Sequence, residues 1–255
     1  MSQPPWTPSF DFYIAQLDGD PAAIALDLGA ADHAPLKTHP RRLAVRITMK
    51  APRPDGLRSR DEFDALSLVE DRIAEAVGYE LDGWMVGRVV YRGSTDVFFY
   101  APAPGTDDDE RIAECIEGAS GDYEVVFQWS DDDAWKFYFE FLWPDRATMQ
   151  TMANRRVVHQ LEESGDDPTA VRIIDHFAFF DDDAMCGHVA NSLRALGFVV
   201  DTPKEREDGS WSLQFHRKDS LSSGRIDAVT TEILDVIGED DGSYDGWGCP
   251  VVATN

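Results

Sequence analysis

An acidic run, Asp181-Asp182-Asp183, is the first candidate functional site in this chain. It stands where a helix is predicted to start, and carboxylates there complement the helix dipole and cap free backbone amides. A calcium loop of the EF-hand type needs ligands at alternating positions, a central glycine and a distal glutamate, which residues 181–186 lack. We therefore interpret the run as a helix cap, with a contact to a partner or a metal as the second interpretation.

Cysteine and histidine together could bind zinc, but their spacing in this sequence does not favour it. Cys186 and His188 form no recognised ligand pair with each other, nor with His159 or His176. His176 stands in an apolar stretch, where a hydrogen-bonded core imidazole is the commoner role. The three cysteines are an odd set without CxxC spacing, which is typical of reduced thiols. We expect no metal and no cofactor.

The segment Tyr244-Asp245-Gly246-Trp247 is the second candidate site. Its centre is turn-like, because glycine permits unusual backbone angles and aspartate can bond locally. Packing of both aromatic side chains against the sheet or the last helix is the simpler interpretation, and a partner-facing surface is the other. The candidate partner-binding residues are therefore Asp181, Asp182, Asp183, Tyr244, Asp245 and Trp247.

Motifs of catalytic centres are absent from the sequence. It contains no GxSxG elbow, no Walker-type phosphate loop and no GxGxxG that opens a helix after a strand. We expect a non-enzymatic protein. The alternative is an enzyme of unknown class whose catalytic groups converge only in the fold, in the cleft between domains.

Charge limits the possible partners. The chain has 23 Lys and Arg against 48 Asp and Glu, a net charge of −25, and acidic residues outnumber basic ones in both halves. Such a field repels nucleic-acid phosphates and anionic lipid surfaces, so we expect no direct nucleic-acid or membrane binding. Solubility is the simplest role for this charge, and attraction to a protein with a basic surface is the second. Short apolar runs and the lack of a signal sequence predict a cytoplasmic protein.

Hydrophobic periodicity predicts the elements that position these residues. Apolar and polar residues alternate over residues 43–49, as in a half-buried strand, whereas apolar residues recur every three or four positions over residues 63–77, as in an amphipathic helix. At Pro144-Asp145 a strand pattern stops and a helical pattern begins. We therefore predict two domains, residues 1–144 and 145–255.

Both domains are predicted to have the same motif. After a helix over residues 146–163, the second domain shows the order β-α-β-β-α-β, the split βαβ or ferredoxin-like motif. The first domain shows that order from residue 43 onward, with extra strands at both ends, the last over residues 135–143 after a solvated hairpin turn at residues 130–133. The sequence thus predicts an α+β protein with two ferredoxin-like domains and antiparallel sheets.

The second half resembles the bacterial regulator of ribonuclease activity B family over roughly residues 150–253. The resemblance is carried by Gly165-Asp166, Val171-Arg172, His176-Phe177-Ala178-Phe179-Phe180 and, above all, Tyr244-Asp245-Gly246-Trp247. It implies a small acidic ferredoxin-like protein that binds ribonuclease E and lowers its activity, without cofactor or catalytic residues.

The first half resembles an uncharacterised bacterial domain that occurs fused ahead of that regulator and has no known activity. The matching segments are residues 21–28, Pro54-Asp55-Gly56-Leu57, Leu68-Val69-Glu70-Asp71, Val86-Gly87-Arg88 and Val97-Phe98-Phe99-Tyr100. The extra domain departs from the regulator's simple form. We expect an acidic regulator that binds a protein with a basic surface, and the resemblance implies an RNA-processing ribonuclease.

Overall fold

The computed structural model describes residues 3–103, 108–222, 224–238 and 242–253. The chain forms two compact units, Met1–Pro144 and Asp145–Asn255. Each contains one antiparallel sheet. In the described part of the chain, no helix is both long and apolar enough to span a membrane.

The first unit is a six-stranded sheet with two α-helices. Its elements are β1 (Phe10–Leu17), β2 (Asp20–Asp27), β3 (Arg41–Thr48), α1 (Phe63–Leu81), β4 (Trp84–Tyr91), β5 (Ser94–Ala101), α2 (Asp108–Ser120) and β6 (Val125–Asp131). The strand order is β1-β2-β4-β5-β3-β6. The path β6-β3-β5-β4 is the ferredoxin-like arrangement predicted from the sequence, and β1 and β2 extend it past β4. Both extra strands thus lie at one edge of the sheet.

The core of the first unit follows from the two periodicities. The apolar residues of β3, which include Leu43, Val45 and Ile47, are fully buried and share one cluster with the apolar stripe of α1. A strand places every second side chain on one face, and a helix places every third or fourth residue on one stripe, so both predicted patterns find the same core.

The prediction of a strand over residues 135–143 is wrong. This segment contains a π-helix, Phe137–Leu142, which packs on the sheet face opposite α1, where Tyr138 donates to the carbonyl of Asp27 at 2.7 Å. Its start is fixed by Asp132, whose carboxylate accepts from the amides of Lys136 and Phe137 at 2.7 and 3.0 Å. The predicted solvated hairpin turn is therefore a helix-capping segment.

The second unit is the split βαβ motif preceded by a helix. Its elements are α3 (Arg146–Glu163), β7 (Arg172–Phe180), α4 (Asp183–Ala195), β8 (Val199–Val200), β9 (Lys204–Glu205), β10 (Trp211–Asp219), α5 (Arg225–Ile237) and β11 (Ser243–Gly248). The order β11-β7-β10-β8 places the first and third strands of the motif at the centre, which confirms the ferredoxin-like prediction. Helices α4 and α5 bury one face of this sheet.

Candidate functional site

The face of the second sheet that α4 and α5 do not cover carries exposed apolar side chains. Along β7 burial alternates strictly, and Ile173 and Phe177 are exposed while their neighbours in the strand are buried or half-buried. The register sets Ile173 opposite Lys218 and Phe177 opposite Gln214 on β10. We call this surface the open face, and its residues are Ile173, Asp175, Phe177, Phe179, Val199, Ser212, Gln214, His216 and Lys218. Grouped exposed apolar side chains are typical of interaction surfaces.

Charged groups border the aromatic end of the open face. The guanidinium of Arg206 lies 4.6 Å from the ring centroid of Phe179, and a carboxylate oxygen of Asp208 lies 3.6 Å from an Arg206 nitrogen. These three residues and Asp181 line one cavity of about 360 Å³. The structure therefore brings the first predicted acidic residue next to the open face.

The acidic run is exposed at the start of α4. Asp182 is the N-cap, and its carboxylate accepts from the amide of Met185 at 2.8 Å, which confirms the capping interpretation for this residue. Asp183 is the first residue of the helix, and Asp181 and Asp183 are also exposed. All three charges are accessible to a partner.

Tyr244 points into the core of the second unit. Its hydroxyl lies 2.7 Å from Nδ1 of His176, a fully buried ring that stacks on Phe215. Burial raises the pKa of Tyr244. Burial, and then the charge of Arg217, lowers the pKa of His176 to about 4. Both groups are neutral near pH 7, and His176 is the core imidazole that the sequence predicts.

Trp247 also points inward, where it connects β11 to two helices. Its Nε1 donates to Oδ1 of Asn154 on α3 at 2.8 Å. The amide nitrogen of the same Asn154 donates to Asp227 and Thr230 on α5, at 2.8 and 2.9 Å. Packing is therefore the observed role of Tyr244 and Trp247.

Asp245 follows Tyr244 in the strand, but unlike the two aromatic residues it is exposed. Tyr244 pairs with Ala178 and Gly246 with Phe177, so Asp245 is the extra residue of a β-bulge. Gly246 has φ 114°, a value that side chains disfavour. The bulge leaves Asp245 exposed on the edge strand.

Asp166 and Arg172 form a buried ion pair that was not predicted from the sequence. Arg172 Nη1 contacts Asp166 Oδ1, and the amide of Val252 donates to the same oxygen at 2.6 Å. Burial acts to raise the pKa of Asp166, but hydrogen bonds from Arg172 and Val252 hold it below its usual value. Two residues that carry the family resemblance therefore fasten the C-terminal segment.

Sequence reasoning missed that Phe177 is exposed and Phe179 only half-buried. The stretch His176-Phe177-Ala178-Phe179-Phe180 is apolar on both sides of the strand, a pattern that usually indicates a strand buried on both faces. A ferredoxin-like sheet has helices on one face only, so half of these aromatic residues remain accessible. An apolar stretch on both sides of a strand, in a sheet that has helices on one face only, was the sequence signal that could have predicted this accessible surface.

The candidate zinc ligands do not lie together in the structure. Cys186 and His176 are buried, whereas His188 is exposed and His159 lies 3.5 Å from Glu163 at the surface. Across the described ranges, no group of three histidine, cysteine, aspartate or glutamate side chains is placed to hold a metal ion.

Comparison with known proteins divides the chain at the same place. Residues 9–143 match the model of DUF695, a family of unknown function, and residues 151–249 match that of Regulator of ribonuclease activity B. The Regulator of ribonuclease activity B of Escherichia coli strain K12 is 29% identical over 109 residues, which are 41% of this chain and 79% of that protein. The protein of that name from Salmonella typhi is 28% identical over 109 residues, with the same coverage.

Structural similarity adds nothing to these matches. A crystal structure of an unknown protein from Galdieria sulphuraria covers 83% of this chain and 98% of its own, at 9% identity and a TM-score of 0.24. That score is too low to carry an argument. The family model that matches more than half of the sequence decides the classification: this chain belongs to the DUF695 family of unknown function, and its C-terminal half is similar to Regulator of ribonuclease activity B.

Proposed function

We propose that this chain is a non-enzymatic regulator that binds an RNA-processing ribonuclease through the open face of its second unit and the acidic residues beside it. The observation that carries the proposal is the exposure of Ile173, Phe177 and Val199 on one sheet face of the unit that is similar to the regulator. Bound there, the chain hinders the access of RNA to the nuclease.

The composition of the open face suits a protein partner. Aromatic side chains at the centre of an interface supply most of the binding energy, and a polar rim surrounds them. Phe177 lies within this surface between β11 and β10, and Phe179 lies at the end that Asp181 borders. Carboxylates at a rim mainly speed and orient the encounter with a basic partner.

RNA is a less suitable occupant of the same face. RNA-recognition domains do stack bases on aromatic residues of a four-stranded sheet, but they do so with a basic surface. Here Asp175 and Lys218 both lie on the face, and Asp201 and Lys204 both line a cavity with Phe177 and Phe179, so the face is not predominantly basic. The net charge of −25 adds a repulsion that acts over the whole molecule.

The test is cleavage of a labelled RNA by ribonuclease E of the same organism, with this chain added at increasing concentration. Phe177 is 37% exposed on the open face, and Leu196 is 40% exposed elsewhere, so Phe177→Asp and Leu196→Asp are matched variants. We expect wild type and Leu196→Asp to inhibit equally, and Phe177→Asp to need about tenfold more protein, the loss typical of a central interface residue.

Three results would contradict the proposal. The first is wild-type protein that neither binds nor inhibits the nuclease. The second is equal inhibition by the two aspartate variants, which would remove the open face from the interface. The third is retention of the RNA by this chain in the absence of nuclease, which would assign the face to RNA. Circular dichroism of both variants controls for the fold.

A further inference from the structure

A second candidate site lies in the first unit, where β1 and β2 extend the sheet beyond α1. The register puts Phe12 opposite Ala25, and Ala25 opposite Arg88, so these residues share the face on which α1 packs. Phe12, Ile14 and Phe63 are exposed there. Together with Leu57 and Val90 they line a groove of about 450 Å³ between the first turn of α1 and the extended sheet.

Two arginines share one carboxylate at this groove. Arg88 Nη1 lies 2.7 Å from Glu70 Oε2, and Arg58 Nη2 contacts the other oxygen of Glu70. The three side chains together carry one excess positive charge. The side chain of Arg58 is only 7% exposed, and its Nη1 has no hydrogen-bond partner among the described residues. A buried guanidinium nitrogen without a partner is costly, so an added acceptor would stabilise it.

Other charged groups near the two arginines do not supply the hydrogen-bond acceptor that Arg58 Nη1 lacks. Arg53, which also lines the groove, is paired with Asp55 at 2.5 Å. Glu62 attracts Arg58 and Asp71 attracts Arg88, and the two oxygens of Glu62 accept from the backbone amides of Lys50 and Ala51. Burial, and then the charge of Arg88, lowers the pKa of Arg58 to about 10. Arg58 Nη1 thus remains a buried donor without an acceptor among the described residues.

We propose that this groove binds a small apolar molecule with one carboxylate, whose apolar body lies over Phe12, Ile14 and Phe63 and whose carboxylate meets Arg58 and Arg88. The groove has the size of ligand pockets, about 300–1,000 Å³, and the apolar lining with few polar groups that is typical of them. Guanidinium groups match a carboxylate in geometry as well as in charge. The site is separate from the regulator function proposed for the second unit.

The segments that carry the resemblance of the first half meet at this groove. Leu57 comes from the Pro54-Asp55-Gly56-Leu57 segment, Glu70 from the Leu68-Val69-Glu70-Asp71 segment of α1, and Arg88 from the Val86-Gly87-Arg88 segment of β4. They are distant in sequence, and the fold brings them into contact. A ligand site gives these segments a common role.

Titration calorimetry of the full chain with octanoate and with 4-phenylbutyrate tests the proposal, and octan-1-ol is the uncharged comparison. We expect saturable binding of at least one carboxylate at one site per chain. Octan-1-ol should bind at least about tenfold more weakly than octanoate, because it lacks the charge-assisted hydrogen bonds. Failure of both carboxylates to bind, or equal affinity for the alcohol, would overturn the assignment.

Exposed positions supply matched variants that keep the fold. Ile14 in the groove is 55% exposed and Leu68 on α1, away from it, is 50% exposed. Ile14→Glu should weaken carboxylate binding by at least about tenfold, and Leu68→Glu should leave it unchanged. Arg88→Gln should weaken it similarly, with the exposed Arg72→Gln on α1 as the control for lost charge. Equal affinity of the two glutamate variants would place any binding elsewhere and overturn the proposal.

Discussion

His176 and Tyr244 show how a polar pair is held neutral inside a protein core. The imidazole is fully buried, one ring nitrogen meets the Tyr244 hydroxyl at 2.7 Å, and Phe215 stacks on its ring. A charged imidazole there would lose its hydration and meet the positive charge of Arg217. The contribution of this pair to the stability of the core therefore depends on pH.

Stability of the second unit should depend on His176 in a defined pH range. Its pKa is about 4 in the folded chain and about 6.5 in the unfolded chain, so between these values the unfolded state binds more protons. The free energy of unfolding should thus fall as the pH falls from about 6.5 to about 4, by an amount on the order of 2–3 kcal/mol.

Urea denaturation at several pH values across that range checks this expectation. Hydrogen exchange of the β7 amides reports the stability of the second unit separately. A double variant, His176→Phe with Tyr244→Phe, should show a shallower pH dependence, whereas His188→Gln at the surface should behave as wild type. A double variant with the same pH dependence as wild type would contradict a role for His176.

Single residues were predictable from sequence where their roles are local. The N-cap of α4 at Asp182 follows from a carboxylate three residues before a free amide, and the buried position of His176 follows from the apolar stretch around it. The pairing of Glu70 with Arg58 and Arg88 was not predictable, because the three residues come from a loop, a helix and a strand that meet only in the fold.

At the scale of elements, periodicity fails where a segment is apolar on all sides. Both ferredoxin-like motifs were correctly predicted because their strands and helices differ in period. Residues 135–143 contain seven aromatic or aliphatic side chains among nine residues, and such a run fits a buried strand and a buried helix equally well. The deciding interaction is the cap by Asp132, which also accepts from the hydroxyl of Tyr100 on β5.

Removal of that cap should therefore destabilise the first unit. Asp132→Ala takes away the acceptor for two backbone amides and a buried tyrosine hydroxyl, and we expect a loss of about 1–3 kcal/mol in the free energy of unfolding. Asp133→Ala changes an exposed neighbour of equal charge and should stay within about 0.5 kcal/mol of wild type. Urea denaturation of both variants measures these changes. Equal stability of Asp132→Ala and Asp133→Ala would show that the cap is dispensable.

At the scale of the whole molecule, the chain consists of two units with separate cores. Among the described residues, the apolar cluster of the first unit contains residues before Pro144, and the two clusters of the second unit contain residues after it. We expect residues 1–144 and 145–255, expressed separately, each to be soluble and to unfold cooperatively. If neither fragment folds alone while the full chain melts in one transition, the division into independent domains is wrong.

The net charge of −25 gives the last prediction, which concerns partner binding. If the exposed run at the start of α4 meets a basic segment of the nuclease, its attraction should fade with salt, since the Debye length falls from about 10 Å at 0.1 M to about 3 Å at 1 M. Affinity should then fall with salt for wild type, and less steeply for the double variant Asp182→Asn with Asp183→Asn.

Asparagine makes this variant informative, because it caps a helix about as well as aspartate does and so removes charge without removing the cap. The measurement is titration of the nuclease at several salt concentrations, with circular dichroism as the control for the fold. Equal affinity and equal salt dependence of the two proteins would remove this run from the interface. Binding by wild type that does not change with salt would reject acidic docking, and the apolar open face would then remain as the proposed source of affinity.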